Sequence, residues 1–99
     1  MNNVANTILQ QLGGNRFIAM TGCKNFVGSD DTLTFKLARN VNGISHFAIT
    51  LDVNDLYRVE ARRWNARRLD YTIVAVHSNV YADQLRAVFE NETGLYTSL

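Results

Sequence analysis

The sequence predicts an α+β fold: an N-terminal helix, a five-stranded antiparallel β-meander and a C-terminal helix, in one domain over residues 1–99. Three observations carry that prediction. Apolar residues recur at helical spacing near each end, the interior alternates with period two, and clusters of Gly, Asn and Asp interrupt it at short intervals. The chain contains no proline, so every strand can pair along its whole length. Its 46% hydrophobic and 19% charged content is enough to build a single core.

At the N-terminus, Asn2, Asn3 or Asn6 can cap a helix whose stripe is Val4, Ile8 and Leu12 with Ala5 and Leu9. Gly13-Gly14 ends it, and the helix is too short to persist without a sheet beneath it. Arg16 to Val27 reads as a first strand with apolar residues on both faces, followed by the turn Gly28-Ser29-Asp30-Asp31. Thr32 to Ala38 alternates, with Leu33, Phe35 and Leu37 inward. Asn42-Gly43 signals a tight hairpin with positive φ at both central residues, and Ile44 to Leu51 returns with Phe47, Ile49 and Leu51 inward. At the other end of the chain, Ser78 or Asn79 can cap a final helix, Val80 to Thr93, carrying Tyr81, Leu85, Val88 and Phe89, with Thr93-Gly94-Leu95 as its stop.

Between them lies LYRVEARRWNARRLDYTIVAV, residues 56–76: two alternating runs around a basic tip. An odd-length loop centred on Ala66 sets Tyr57, Val59 and Ala61 across from Ala75, Ile73 and Tyr71, giving one wholly apolar face. The same register sets Arg62 against Asp70 and leaves Arg58 and Arg62 flanking Glu60 on the outer face, with Trp64 and Arg68 at the loop mouth.

Net charge is only +1, so no bulk field draws the molecule to nucleic acid or lipid, but the charge is unevenly spread. Residues 1–57 carry four basic and four acidic side chains, residues 58–68 five against one, and residues 69–99 one against four. The N-terminus has neither a basic leader region nor an unbroken apolar run, and no stretch approaches the roughly 20 apolar residues that span a bilayer. The lone Cys23 forms no internal disulfide, so a reduced, cytoplasmic protein away from membranes is expected.

The two ends, ILQQLGGNRFIAMTGCKNFV at residues 8–27 and VYADQLRAVFENETGLYTSL at residues 80–99, resemble those of a family of small uncharacterised proteins encoded by phages and prophages. The match covers about forty residues. It implies a phage-related source, and a host-cell cytoplasm as the place of action, but no established activity. The central RRWNARR is more basic than is typical of that family. Helix, meander, helix also resembles the order of double-stranded RNA-binding domains, but those carry lysines at the start of the last helix, where this chain has NVYADQLR.

Arg58, Arg62, Arg63, Trp64, Arg67 and Arg68 are therefore the candidate partner-binding residues, for nucleic acid or a nucleoprotein. The competing explanation is structural, since arginines on an exposed sheet keep it soluble and block edge pairing. Trp64 among arginines matches the composition of binding hot spots. His46 and His77 fall on different strands without nearby cysteines, so neither metal nor other cofactor is expected. Cys23 reads as a small buried residue, Asp30-Asp31 as turn composition, and no nucleophile–base spacing supports catalysis. The expectation is a non-enzymatic binding protein; the alternatives are an anti-defence inhibitor, similar in size to anti-CRISPR proteins and directed at a host protein, and a virion assembly component. Apolar positions on both faces of the sheet are explained either by a homodimer or by helices divided between the faces.

Overall fold

The computed structural model describes residues 3–97. Helix α1 (Asn3–Leu12) and a short α2 (Asn15–Thr21) precede strands β1 (Lys24–Ser29), β2 (Thr32–Lys36), β3 (His46–Leu51), β4 (Tyr57–Asn65) and β5 (Asp70–Val80). A 3-10 turn (Ala82–Gln84) leads into α3 (Leu85–Thr93). The strands lie side by side in chain order and every neighbouring pair is antiparallel, so the expected α+β meander is formed. Among the described residues, no helix is long and apolar enough to cross a membrane.

One face of the sheet holds the core. Leu33 and Phe35 of β2, Phe47 and Ile49 of β3, and Tyr57, Val59 and Ala61 of β4 pack there against Ala5, Ile8 and Leu12 of α1 and Leu85 and Phe89 of α3. All three helices bury apolar residues in this one cluster, so they are not divided between the faces. Asn3 is the first described residue of α1, Asn6 lies inside the helix and not at its start, and Asn2 falls outside the described residues.

The segment read as the start of the first strand is instead α2. Phe17 and Thr21, one helical turn apart, are both buried, and the Thr21 hydroxyl donates to the Phe17 carbonyl at 2.7 Å. Helical geometry brings the Phe17 ring to 5.7 Å from Phe35 and 5.0 Å from Phe89, inside the aromatic centre of the core. Glycines on either side delimit seven residues in which side-chain burial, not strand propensity, decides the conformation. Strand β1 then starts only at Lys24.

Asn42-Gly43 is not a two-residue hairpin. Strands β2 and β3 are joined by residues 37–45, in which only Gly43 has positive φ and its N–H donates to the Asn40 carbonyl. The Asn40 side chain holds this loop, donating to the Ala38 and Ile44 carbonyls and accepting from the Ile44 N–H. A side chain that replaces the turn's own hydrogen bonds permits the longer connection.

The β4–β5 register also differs. Residues 66–69 form a four-residue loop closed by Asn65, whose Oδ1 accepts the Arg67 and Arg68 N–H groups at 3.0 and 3.2 Å. Trp64 therefore faces Tyr71, and Arg62 faces Ile73 rather than Asp70. Two bulges on β5 bring apolar side chains back to the core: Ala61 meets Ala75 once Val74 is accommodated, and Tyr57 meets Val80 past Ser78 and Asn79. An edge strand with one neighbour absorbs such insertions easily. Ser78 and Asn79 consequently lie in β5 and cap nothing; the Tyr81 N–H instead donates to Gln84 Oε1 at 3.0 Å, and Tyr81 is exposed. The helix stop is as expected, with Gly94 left-handed and its N–H on the Glu90 carbonyl.

Candidate functional site on the β4–β5 hairpin

The face opposite the helices carries the side chains that alternate with the core set. Across it, Lys36, His46, Arg62 and Ile73 form one cross-strand row, and Ala48, Glu60 and Val76 another. Towards the hairpin tip, Trp64 and Tyr71 stand opposite each other with ring centroids 4.9 Å apart at 63°, and the Tyr71 ring meets His46 at 4.9 Å. Trp64 and Tyr71 remain 43% and 41% exposed, so the pair is a platform and not part of the core. The Ser45 hydroxyl, at the end of the β2–β3 loop, accepts the Trp64 backbone N–H at 2.8 Å and lies 2.9 Å from His46 Nδ1, which ties the base of the platform to the start of β3.

The five arginines divide into two groups. Arg62 donates from Nε and Nη2 to Glu60, and Arg58 lies 3.9 Å from the other oxygen of the same carboxylate. Arg63 turns towards the β2–β3 loop and donates to the Gly43 and Asn42 carbonyls. Arg67 and Arg68 at the tip are exposed, and their guanidinium groups have no partner among the described residues. Trp64, Arg67 and Arg68 are thus exposed on the same hairpin without side-chain hydrogen bonds or ion pairs among the described residues, while Arg62 and Arg63 are hydrogen-bonded within the chain and Arg58, itself exposed, lies near Glu60.

Other titratable groups are dispersed. Burial holds the His46 pKa below the usual imidazole value, with Lys36 and Arg62 adding to the effect. His77 points to the other face and meets Glu92 of α3 at 2.7 Å. Cys23 is buried, and burial pushes its thiol up, away from a reactive thiolate. No three His, Cys, Asp or Glu side chains converge among the described residues. A depression of about 440 Å³ along α1 is lined by Asn3, Asn6, Thr7, Gln10 and Gln11, and gathers no acid, histidine or cysteine.

Tyr71, read from sequence as an inward residue, and His46, read as an isolated strand histidine, both belong to the platform. The signal for Tyr71 was Asn65: an Asn whose side-chain oxygen accepts the N–H groups two and three residues on closes a four-residue loop and moves Tyr71 to the outer face. No family model, curated protein or solved structure matches this chain.

Proposed function

We propose that this chain is a small non-enzymatic binding protein that contacts nucleic acid, or the nucleic acid of a nucleoprotein, through the tip of the β4–β5 hairpin. The observation that carries this reading is that the loop joining the strands of the exposed Trp64–Tyr71 pair carries two arginines, Arg67 and Arg68, whose guanidinium groups have no partner among the described residues. Arginine supplies planar, permanently charged donors for phosphate, and an aromatic face stacks on any base without regard to sequence. Base stacking of this kind contributes about 1–3 kcal/mol per base. The partly desolvated aromatic pair thus offers affinity where the near-neutral net charge of +1 does not.

Titrating labelled single- and double-stranded DNA and RNA against salt tests this reading. Two phosphate contacts predict that log K falls with log salt at a slope of about −1.5 to −2. An R67A/R68A variant that binds as tightly as the parent, with the same salt slope, would remove the hairpin from consideration.

A second reading is favoured by Ile73, Val74 and Val76, all at least 40% exposed along β5. They form an apolar strip suited to a protein surface, as an inhibitor of a host defence protein or a virion component would need. Affinity capture from host lysate with and without nuclease separates the two readings, because a protein partner survives nuclease treatment. A phage origin, on the similarity of the two chain ends, and action in the host cytoplasm complete the proposal.

A further inference from the structure

We infer that β5 pairs antiparallel with the β5 of a second copy of this chain, joining two five-stranded sheets edge to edge. The strand has 11 residues, about 35 Å of edge, and stands last in the sheet order. Edge strands are ordinarily blunted by charge, proline or brevity. Strand β5 is long and has no lysine, arginine or proline; its single carboxylate, Asp70, stands at the start, and its two bulges, with Asn79 at φ 56°, interrupt the edge only at Val74 and at Ser78–Asn79. The opposite edge is blunted. Strand β1 has six residues, begins with the exposed Lys24, breaks register between Lys24 and Val27, and holds Asn25 at φ 58°. The bulges in β5 leave Asp70–Ile73 and Ala75–His77 in unbroken register with β4, and no described strand lies on their other side.

Charge selects a second copy as the occupant. The hairpin tip carries Arg67 and Arg68. The opposite end of β5 carries Asp83 in the following 3-10 turn and Asp55 in the β3–β4 loop, which reaches β5 through the Asn54–Asn79 hydrogen bond of 3.0 Å. Both carboxylates are exposed and have no side-chain partner among the described residues. A two-fold antiparallel arrangement brings the basic tip of each copy to the acidic end of the other, twice over, and sets the exposed Ile73 and Val76 of both copies side by side. A parallel arrangement would place arginines on arginines. Self-pairing also draws on Arg67 and Arg68, so it competes with nucleic acid for them.

Sedimentation equilibrium of the full chain tests the arrangement. The expected result is a species of twice the 11.2 kDa monomer mass at about 100 μM, the concentration range of modest interfaces. Ile73→Lys with Val76→Lys should give a monomer with an unchanged far-UV spectrum. R67E/R68E should weaken association at least tenfold, and adding Asp55→Lys and Asp83→Lys should restore it. In the parent, β5 amides should gain hydrogen-exchange protection as concentration rises. A monomeric parent at that concentration, or self-association untouched by both sets of substitutions, would overturn the inference. The lysine variant keeps Trp64, Tyr71, Arg67 and Arg68, so loss of self-association leaves the nucleic-acid reading separately measurable.

Discussion

Arg62 places Nε at 3.1 Å and Nη2 at 2.6 Å from a single oxygen of Glu60, so its charge is already committed on the outer face of the sheet. Arg67 and Arg68 are not so committed. Arg62→Ala should therefore change nucleic-acid affinity less than about twofold at moderate salt, whereas R67A/R68A should cost about tenfold or more. Glu60→Gln, by releasing Arg62, should raise affinity. Parallel anisotropy titrations of the three variants check the ordering.

Phe35 sits at the centre of the core, its ring 5.7 Å from Phe17, 5.2 Å from Phe26, 6.0 Å from Phe47 and 6.3 Å from Phe89. Phe35→Ala should cost about 3–5 kcal/mol, a large share of the stability of a domain this size. Urea unfolding followed by circular dichroism measures it.

Gly94 closes α3 at φ 73°, and a Cβ there would stand 3.2 Å from Val41 Cγ2. Gly94→Ala should destabilise by about 1 kcal/mol or more, because a left-handed conformation and a crowded contact act together. Pairing it with Val41→Ala should recover only the steric part, a difference that a double-mutant cycle resolves.

Folding lowers the His46 pKa, through burial first and then Lys36 and Arg62. The unfolded chain therefore binds more protons than the folded one between the folded value and the ordinary value of 6.5. Stability contributed by neutral His46 is present above that window and is lost as pH falls through it. The gap in urea midpoint between parent and His46→Gln should shift against the parent from about pH 7.5 to about pH 5, where imidazole titrates.

Period-two alternation in residues 32–38 and 44–51 places Leu33, Phe35, Leu37, Phe47 and Ile49 in the core directly, with Leu51 half-buried at its edge, because one buried face admits one register. Seven residues between glycines were too few to show a period, so α2 was hidden: Phe17 and Thr21 supply one helical repeat, and Ile18 and Met20 mimic a two-faced strand. The hairpin arginines were legible as a cluster. Which of them stay free was not, because Glu60, Asn42 and Gly43 reach Arg62 and Arg63 only through the fold. Tyr71 joined the platform because Asn65 sets a loop length that apolar alternation alone does not specify.

Trp64 is the only tryptophan of the chain, so its emission reports on the proposed platform without labelling. Adding a single-stranded oligonucleotide at low salt should quench that emission saturably, and raising the salt should reverse the quenching in parallel with release of the strand. Emission that stays unchanged while the oligonucleotide is in large excess at low salt would contradict a nucleic-acid role for the hairpin tip.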